Sequence, residues 1–198
     1  QYEDIGVDYV RTHDDYGLID MHTLFPDLAA DPEDETSYAF TAADRELEAI
    51  ERVGAGIIFR LGESSGSSVT YVAPEDRETW AQAAAHVAQH YNDGWPRGIS
   101  VLQSRPHGTS IPRGWDNGFH WGIAYWEVWN EPDIAEFWTG TWEEYFQLYE
   151  ATARALKTYD PDLKVGGPAW CCHQDFFQDF LAYCQAHQVP LDFVSWHY

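Results

Sequence analysis

The feature that most constrains the fold is a regular alternation of short β-rich runs with longer helical patterns. The β-rich runs lie at residues 7–12, 57–61, 123–129, 163–166 and 192–197. Four helical patterns separate them. This repeated order predicts parallel strands joined by right-handed crossovers. Two architectures satisfy it: a doubly wound open sheet and a (β/α)₈ barrel.

The helical patterns begin and end at recognisable residues. Thr41 is the expected N-cap of the first, which Gly54 ends. Pro74, a favoured first helical residue, begins the second. The third begins with the capping-box sequence of residues 141–144 and ends at Asp160, before a proline. The fourth is centred on residues 176–184. Every crossover therefore has its own helix.

Polar and aromatic residues cluster where the predicted strands end. They are Arg11, His13, Glu63, Asn130, Glu131, Trp196 and His197. Convergence of several strand ends on one face is typical of barrel active sites. An open dinucleotide-binding sheet would show a glycine-rich turn after an early strand, and the sequence has none. A complete barrel needs roughly 250 residues, so the 198 residues predict an α/β fold that is a partial (β/α)₈ barrel.

Charge excludes two classes of partner. The formal net charge is −22, and Lys157 and Lys164 are the only lysines. Such a surface repels nucleic-acid phosphates and anionic lipids. No apolar run approaches the ~20 residues of a membrane span. We therefore expect neither nucleic acid nor membrane as partner, and a content of 44% apolar residues supports a substantial core.

The cysteines and the first residues of the chain are less informative. Cys171, Cys172 and Cys184 show no zinc-type spacing, so they predict neither a disulfide scaffold nor a metal site, although one bridge is compatible with them. The chain begins at Gln1 without a visible signal peptide. A cytoplasmic and a secreted location are equally compatible with this sequence.

The strongest chemical signal is the stretch at residues 125–133, where an aromatic strand ends in Asn130 and Glu131. Pro132 cannot continue the strand ladder, so Glu131 should lie at the strand exit beside Trp126 and Trp129. An apolar setting disfavours an ionised carboxyl group, which suits a general acid, and indole faces stack on sugars. The alternative is an ordinary Asn-Glu-Pro turn with a solvated carboxylate.

This stretch resembles the acid/base motif of clan A glycoside hydrolases. The longer match resembles glycoside hydrolase family 39, which contains β-xylosidases and α-L-iduronidases. Four stretches that occur in the family's order carry the resemblance: residues 9–13, 127–133, 160–169 and 192–198. They span nearly the whole chain and are far more specific than the Trp-Asn-Glu-Pro sequence alone.

The resemblance implies roles for individual residues. Glu131 would be the general acid/base, and Asn130 would hydrogen-bond the sugar 2-hydroxyl. His197 matches a family histidine near the nucleophile, and Arg11 and His13 match the strand that lines the non-reducing sugar subsite. Glu63 is expected at the same mouth, and Trp129 beside it. The alternative is a structural role: His13 and His197 would be hydrogen-bonded core histidines, and Glu63 would be a loop carboxylate. No metal or organic cofactor is implied.

Retaining enzymes of this clan need a second carboxylate about 5–5.5 Å from the acid/base. In the family this nucleophile follows the seventh strand, whereas the present sequence resembles strands two to six of eight. Glu127 would lie about 13 Å down the same strand from Glu131, held by Arg60 or Arg11. Residues 96–117 are interpreted as an insertion without chemistry.

The sequence therefore predicts part of a retaining, β-xylosidase-like glycosidase with a carbohydrate substrate. The few arginines near the mouth favour a xyloside over a uronate. One competing class is a non-catalytic carbohydrate-binding or scaffold protein. Another is a metal-dependent hydrolase that would use His13, Glu63 and His197. The oligomeric state is left open.

Overall fold

A computed structural model describes residues 6–14, 16–95 and 119–198. Its elements alternate as the sequence predicts. They are β1 (Tyr9–Arg11), α1 (Met21–Leu24), a 3₁₀ turn (Glu35–Ser37), α2 (Thr41–Glu51), β2 (Gly56–Leu61), a 3₁₀ turn (Pro74–Asp76), α3 (Arg77–Asn92), β3 (Tyr125–Val128), α4 (Trp142–Tyr159), β4 (Lys164–Trp170), α5 (Gln174–His187) and β5 (Phe193–Trp196). The proposed insertion at 96–117 lies outside the described residues.

The five strands form one parallel sheet in the order β1-β2-β3-β4-β5. Strand order that follows chain order is the progression of a barrel, whereas a doubly wound sheet reverses direction at a switch point. The sheet is a half-barrel. The prediction of a partial (β/α)₈ barrel is therefore confirmed.

The two faces of the sheet differ in chemistry because successive side chains alternate. Phe59 pairs with Trp126 in register, and their rings lie 4.8 Å apart within the core formed with the helices. On the other face Arg60 is the register partner of Glu127. The charged residues of the central strands thus belong to the concave side, toward which the site described below opens.

The starts of three helices test the sequence predictions directly. The capping box of α4 is confirmed: the Thr141 hydroxyl accepts from the Glu144 amide at 3.2 Å, and the Glu144 carboxylate accepts from the Thr141 amide at 2.8 Å. The expected N-cap at Thr41 is wrong by one residue. Phe40 holds that position, because its buried ring stacks on His90 with centroids 3.7 Å apart and fixes the entry of the chain. Pro74 begins a 3₁₀ turn that leads into α3.

Among the described helices, none combines the length and apolar character that a bilayer crossing requires.

Candidate active site

The loop after β3 holds Glu131 in an uncommon backbone conformation. Trp129 and Glu131 have φ of 71° and 45°, in the left-handed region that non-glycine residues seldom adopt. Hydrogen bonds fix the loop: the Trp129 amide donates to Leu61 O at 2.6 Å, and the Glu131 amide donates to Ala169 O at 3.2 Å. A backbone conformation of this kind costs free energy and is kept only where the surrounding structure holds it in place; such conformations are common at active sites.

Trp129 supports this loop from the core side. Its indole is fully buried between Trp80 and Trp138, with centroid distances of 6.1 and 5.2 Å, and its Nε1 donates to Phe137 O at 3.0 Å. A Cβ at Gly62 would come within 3.0 Å of the Trp129 Cα, so only glycine fits opposite it. In this structure the indole therefore offers no exposed face on which a sugar could stack, contrary to the expectation for Trp129.

The carboxylate of Glu131 contacts the ring of His197, which follows β5. The contact joins Glu131 Oε1 to His197 Nδ1, and the His197 amide donates to Trp170 O at 2.8 Å. Both side chains are partly exposed, at 17% and 38%. The structure thus brings together a carboxyl group and an imidazole that can hold or transfer a proton, and leaves them open to a ligand.

A second group of residues orients Asn130. Arg11 donates from Nε to Glu127 Oε2 at 2.5 Å and from Nη2 to Asn130 Oδ1 at 2.8 Å. Arg11, one of the two expected partners, therefore holds Glu127. Because Asn130 Oδ1 accepts from Arg11, its Nδ2 is presented as a donor; this atom is buried and has no partner among the described residues.

His13 lies beside this group and is held in its neutral form. Burial, reinforced by the neighbouring guanidinium groups of Arg11 and Arg60, lowers the pKa of His13 to about 4. Its ring lies 6.2 Å from that of Phe137, and its Nδ1 is buried without a partner in the described part of the chain. A neutral imidazole offers one donor and one acceptor to a ligand.

Glu63 forms a different cluster. Its Oε1 accepts from the His22 amide at 3.1 Å and its Oε2 contacts His22 Nδ1. Burial raises the pKa of Glu63, and the hydrogen bond to Glu63 raises that of His22. Arg60, the other partner expected for Glu127, binds Asp20 at 2.8 Å. Sequence reasoning missed His22 and Asp20, since the four-residue helix α1 and the loop before it show no periodic pattern.

A further loop is tied to the loop after β3 by Asp133. Its carboxylate accepts from the amides of Cys171, Cys172 and His173 at 3.1, 2.8 and 2.8 Å. Cys171 and Cys172 form a disulfide between neighbouring residues, and Cys184 is a buried free thiol. This is the one bridge that the cysteine count allowed. The adjacency of two cysteines in the sequence does not by itself predict a disulfide, so the pairing could not be assigned from sequence.

The parallel half-barrel places Asn130 and Glu131 at one strand exit, the edge at which (β/α)₈-barrel enzymes carry their active sites. Residues 109–198 match the sequence profile of glycosyl hydrolases family 39. The chain is 32% identical to a β-xylosidase of Geobacillus stearothermophilus and 29% identical to one of Caldicellulosiruptor saccharolyticus, in each case over 98% of this chain and 37% of the relative. These matches support a relationship between the chain and glycoside hydrolase family 39.

Solved structures of glycosidases have a similar fold. A glucosidase of Croceicoccus marinus superimposes with a TM-score of 0.75 at 30% identity, over 100% of this chain and 39% of that one. The family 39 enzyme of Xanthomonas axonopodis pv. citri superimposes with a TM-score of 0.62 at 25% identity, over 99% and 35%. The chain thus spans well under half the length of the relatives it matches.

Proposed function

We propose that this chain carries the acid/base side of the active site of a retaining, β-xylosidase-like glycosidase. The observation that carries the proposal is the contact of Glu131 with His197 at the open rim, beside the unpartnered amide donor of Asn130. The carbohydrate substrate and its cleavage are inferred from this arrangement together with the family.

Glu131 would act twice. In the first step its carboxyl group protonates the leaving oxygen of the glycosidic bond while a second carboxylate attacks the anomeric carbon. In the second step the Glu131 carboxylate deprotonates the water that releases the sugar. His197, in contact with Glu131 Oε1, would fix the orientation of the carboxyl group in both steps.

Asn130 would bind the sugar. A buried amide donor without a partner carries a free-energy cost, which a substrate hydroxyl would remove. The bond from Arg11 to Asn130 Oδ1 fixes which end of the amide faces that hydroxyl. Arg11, His13 and His197 are the further side chains that we propose as substrate contacts. Glu63, engaged with His22, has no role in this scheme.

The nucleophile must come from elsewhere. Glu127 is buried, and its carboxylate is bound by Arg11, so it is not free to attack a sugar. We propose that the second carboxylate belongs to a segment equivalent to the part of the β-xylosidase relatives that this chain does not match. A xyloside is preferred because both curated relatives are β-xylosidases.

The test joins the chain to the N-terminal and C-terminal remainders of the Geobacillus relative, which supply the strands before and after it, and measures hydrolysis of an aryl β-xyloside. We expect negligible turnover by the chain alone and activity in the fusion. Glu131→Gln should lower that activity by about a thousandfold, consistent with loss of acid/base catalysis, and azide should restore part of it. Glu136→Gln, an exposed carboxylate of the same loop, is the matched control and should retain activity. Fusion activity unaffected by Glu131→Gln would overturn the proposal.

A second measurement does not depend on the fusion. Titration of the chain with xylose should shift the NMR signal of the Asn130 side-chain amide, and Asn130→Ala should weaken binding. If the folded fusion binds xylose but does not hydrolyse the xyloside, the alternative of a non-catalytic carbohydrate-binding protein is favoured. Shifts that avoid Asn130 and Glu131 would contradict both functions at this site.

A further inference from the structure

Three potential metal ligands meet in the loops after β1 and β2. They are Asp20, His22 and Glu63, and one ligand atom from each lies within 4.8 Å of the other two. Asp20 and Glu63 are buried, whereas His22 is partly exposed. The glycosidase scheme uses none of the three. The cluster therefore calls for a separate explanation.

The carboxylate of Asp20 is held in place by hydrogen bonds from Arg60 and Ser64. Its Oδ1 accepts from Arg60 Nη2 at 2.8 Å and from Ser64 Oγ at 2.7 Å, and its Oδ2 accepts from the Ser64 amide at 2.9 Å. A carboxylate oxygen has two lone pairs, and the described residues donate one hydrogen bond to Oδ2, so they leave one of its lone pairs for a ligand. Metal-bound carboxylates are typically oriented by such outer hydrogen bonds.

Glu63 and His22 are already in contact. Glu63 Oε1 is fixed by the His22 amide at 3.1 Å, and Glu63 Oε2 touches His22 Nδ1. A contact of this kind requires a proton between the two atoms. A divalent cation that binds both atoms takes the place of that proton, which is released to solvent.

Charge and access also suit a cation. Two carboxylates and the Arg60 guanidinium leave the cluster with one net negative charge when His22 is neutral. A cavity of about 530 Å³ borders Asp20 and His22. Asp14 and the serines at positions 64, 65, 67 and 68 add carboxylate and hydroxyl oxygens to its wall. It provides an entry path for a hydrated ion and room for a bound water.

We propose that Asp20, His22 and Glu63 form a Zn²⁺ site, with water from the cavity as fourth ligand. One imidazole nitrogen and two carboxylate oxygens suit Zn²⁺, whereas Ca²⁺ and Mg²⁺ prefer oxygen ligands alone. Tetrahedral Zn²⁺ sets its ligand atoms about 3.4 Å apart, and the three candidate ligand atoms lie within 4.8 Å of one another. The ion joins the loops after β1 and β2 and takes no part in glycoside cleavage.

The test is calorimetric titration of the untagged, metal-free chain with ZnSO₄. We expect one Zn²⁺ per chain, release of a proton detected by repeating the titration in buffers of different ionisation enthalpy, and visible absorption bands of tetrahedral geometry on Co²⁺ substitution. His22→Ala and Glu63→Gln should abolish the binding. Ser64→Ala, which removes one outer hydrogen bond from Asp20, should weaken it about tenfold.

The control variant is His187→Ala. His187 is an exposed histidine whose Nδ1 lies 3.8 Å from a Glu150 oxygen, outside the cluster, so its removal should leave the titration unchanged. Circular dichroism of each variant verifies that it is folded. Absence of stoichiometric binding to the folded chain, or binding that survives both His22→Ala and Glu63→Gln, would overturn the proposal. Neither readout depends on glycosidase activity.

Discussion

His197 Nδ1 contacts Glu131 Oε1 although 66 positions separate the two residues in the chain. The contact spans from the end of β3 to the end of β5, and β4 lies between them in the sheet. Parallel strands place all their carboxyl ends at one edge, so a short segment after each of these two strands suffices to bring the two groups together.

The first prediction concerns the tautomer of His197. An imidazole nitrogen in contact with a carboxylate donates its proton, so in the neutral ring we expect the proton on Nδ1 and not on Nε2. Two-dimensional ¹⁵N NMR of the ring should show this pattern in the chain. Glu131→Gln should change it, whereas Glu136→Gln should not. An Nε2-protonated ring in the unaltered chain would contradict the contact.

The second prediction concerns the buried ion pair of Asp20 and Arg60. Both side chains are 1% exposed, and the guanidinium also has Nε and Nη1 without partners among the described residues. Asp20→Asn leaves the buried charge of Arg60 uncompensated and should lower the free energy of unfolding by about 3 kcal/mol. Glu48→Gln, which breaks the pair with the 70%-exposed Arg52, should cost about 0.5 kcal/mol or less.

Urea denaturation in chelating buffer measures both variants without contribution from metal. A similar cost for the two would show that the Asp20–Arg60 pair is not buried as described.

The third prediction concerns pH. The pKa of His13 is lowered to about 4 in the folded chain, from an ordinary value of 6.5. Between these values the unfolded chain binds a proton that the folded chain does not, so His13 makes stability fall as pH drops from 6.5 toward 4. His13→Gln removes this contribution. Asp14, 3.5 Å from the ring, opposes the effect, as does solvent at the partly exposed ring.

The measurement compares free energies of unfolding near neutral pH and at about pH 5. The loss of stability should be smaller in His13→Gln by about 1 kcal/mol, after discounting for solvent screening. The acidic residues, which both proteins share, cancel in this comparison. An equal or larger loss in the variant would mean that His13 titrates normally in the folded chain.

The fourth prediction concerns the thiols. Burial raises the pKa of Cys184 to about 12, and the other two cysteines are bonded to each other. Native chain treated with iodoacetamide should therefore gain no label. Unfolding without reductant should expose one site, and unfolding with reductant three. Mass spectrometry counts the labels; three labels without reductant would exclude the disulfide.

Local signals predicted most of the architecture. The capping box of α4, the prolines that flank the helices and the alternating order of elements depend on near neighbours in the chain, and the structure retains each of them. An arginine partner for Glu127 could also be predicted, because a charge on a barrel-facing strand position requires an opposite charge from a neighbouring strand. The sequence left Arg11 and Arg60 as alternatives, and the structure selects Arg11.

Contacts between loops could not be predicted in the same way. Glu63 was expected at the mouth because it follows a strand, yet which neighbour it meets depends on the path of residues 12–24, where no periodicity fixes the chain. The hydrogen bonds from three amides to Asp133 could not be predicted for the same reason. The aromatic character of Trp129 predicted a surface on which a sugar stacks, but the packing of the core buries its indole.

The carboxylate of Asp133 has a consequence for protein engineering. Two residues after Glu131, it accepts hydrogen bonds from three amides of the cysteine-containing loop. The Glu131 amide donates to Ala169 O near the end of β4, just before that loop. Residues 130–133 and 169–173 should therefore be exchanged together when loops are transferred between barrels. Grafting either loop alone from another barrel would leave amides or a carboxylate without partners, whereas transplanting both together preserves the geometry on which Glu131 depends.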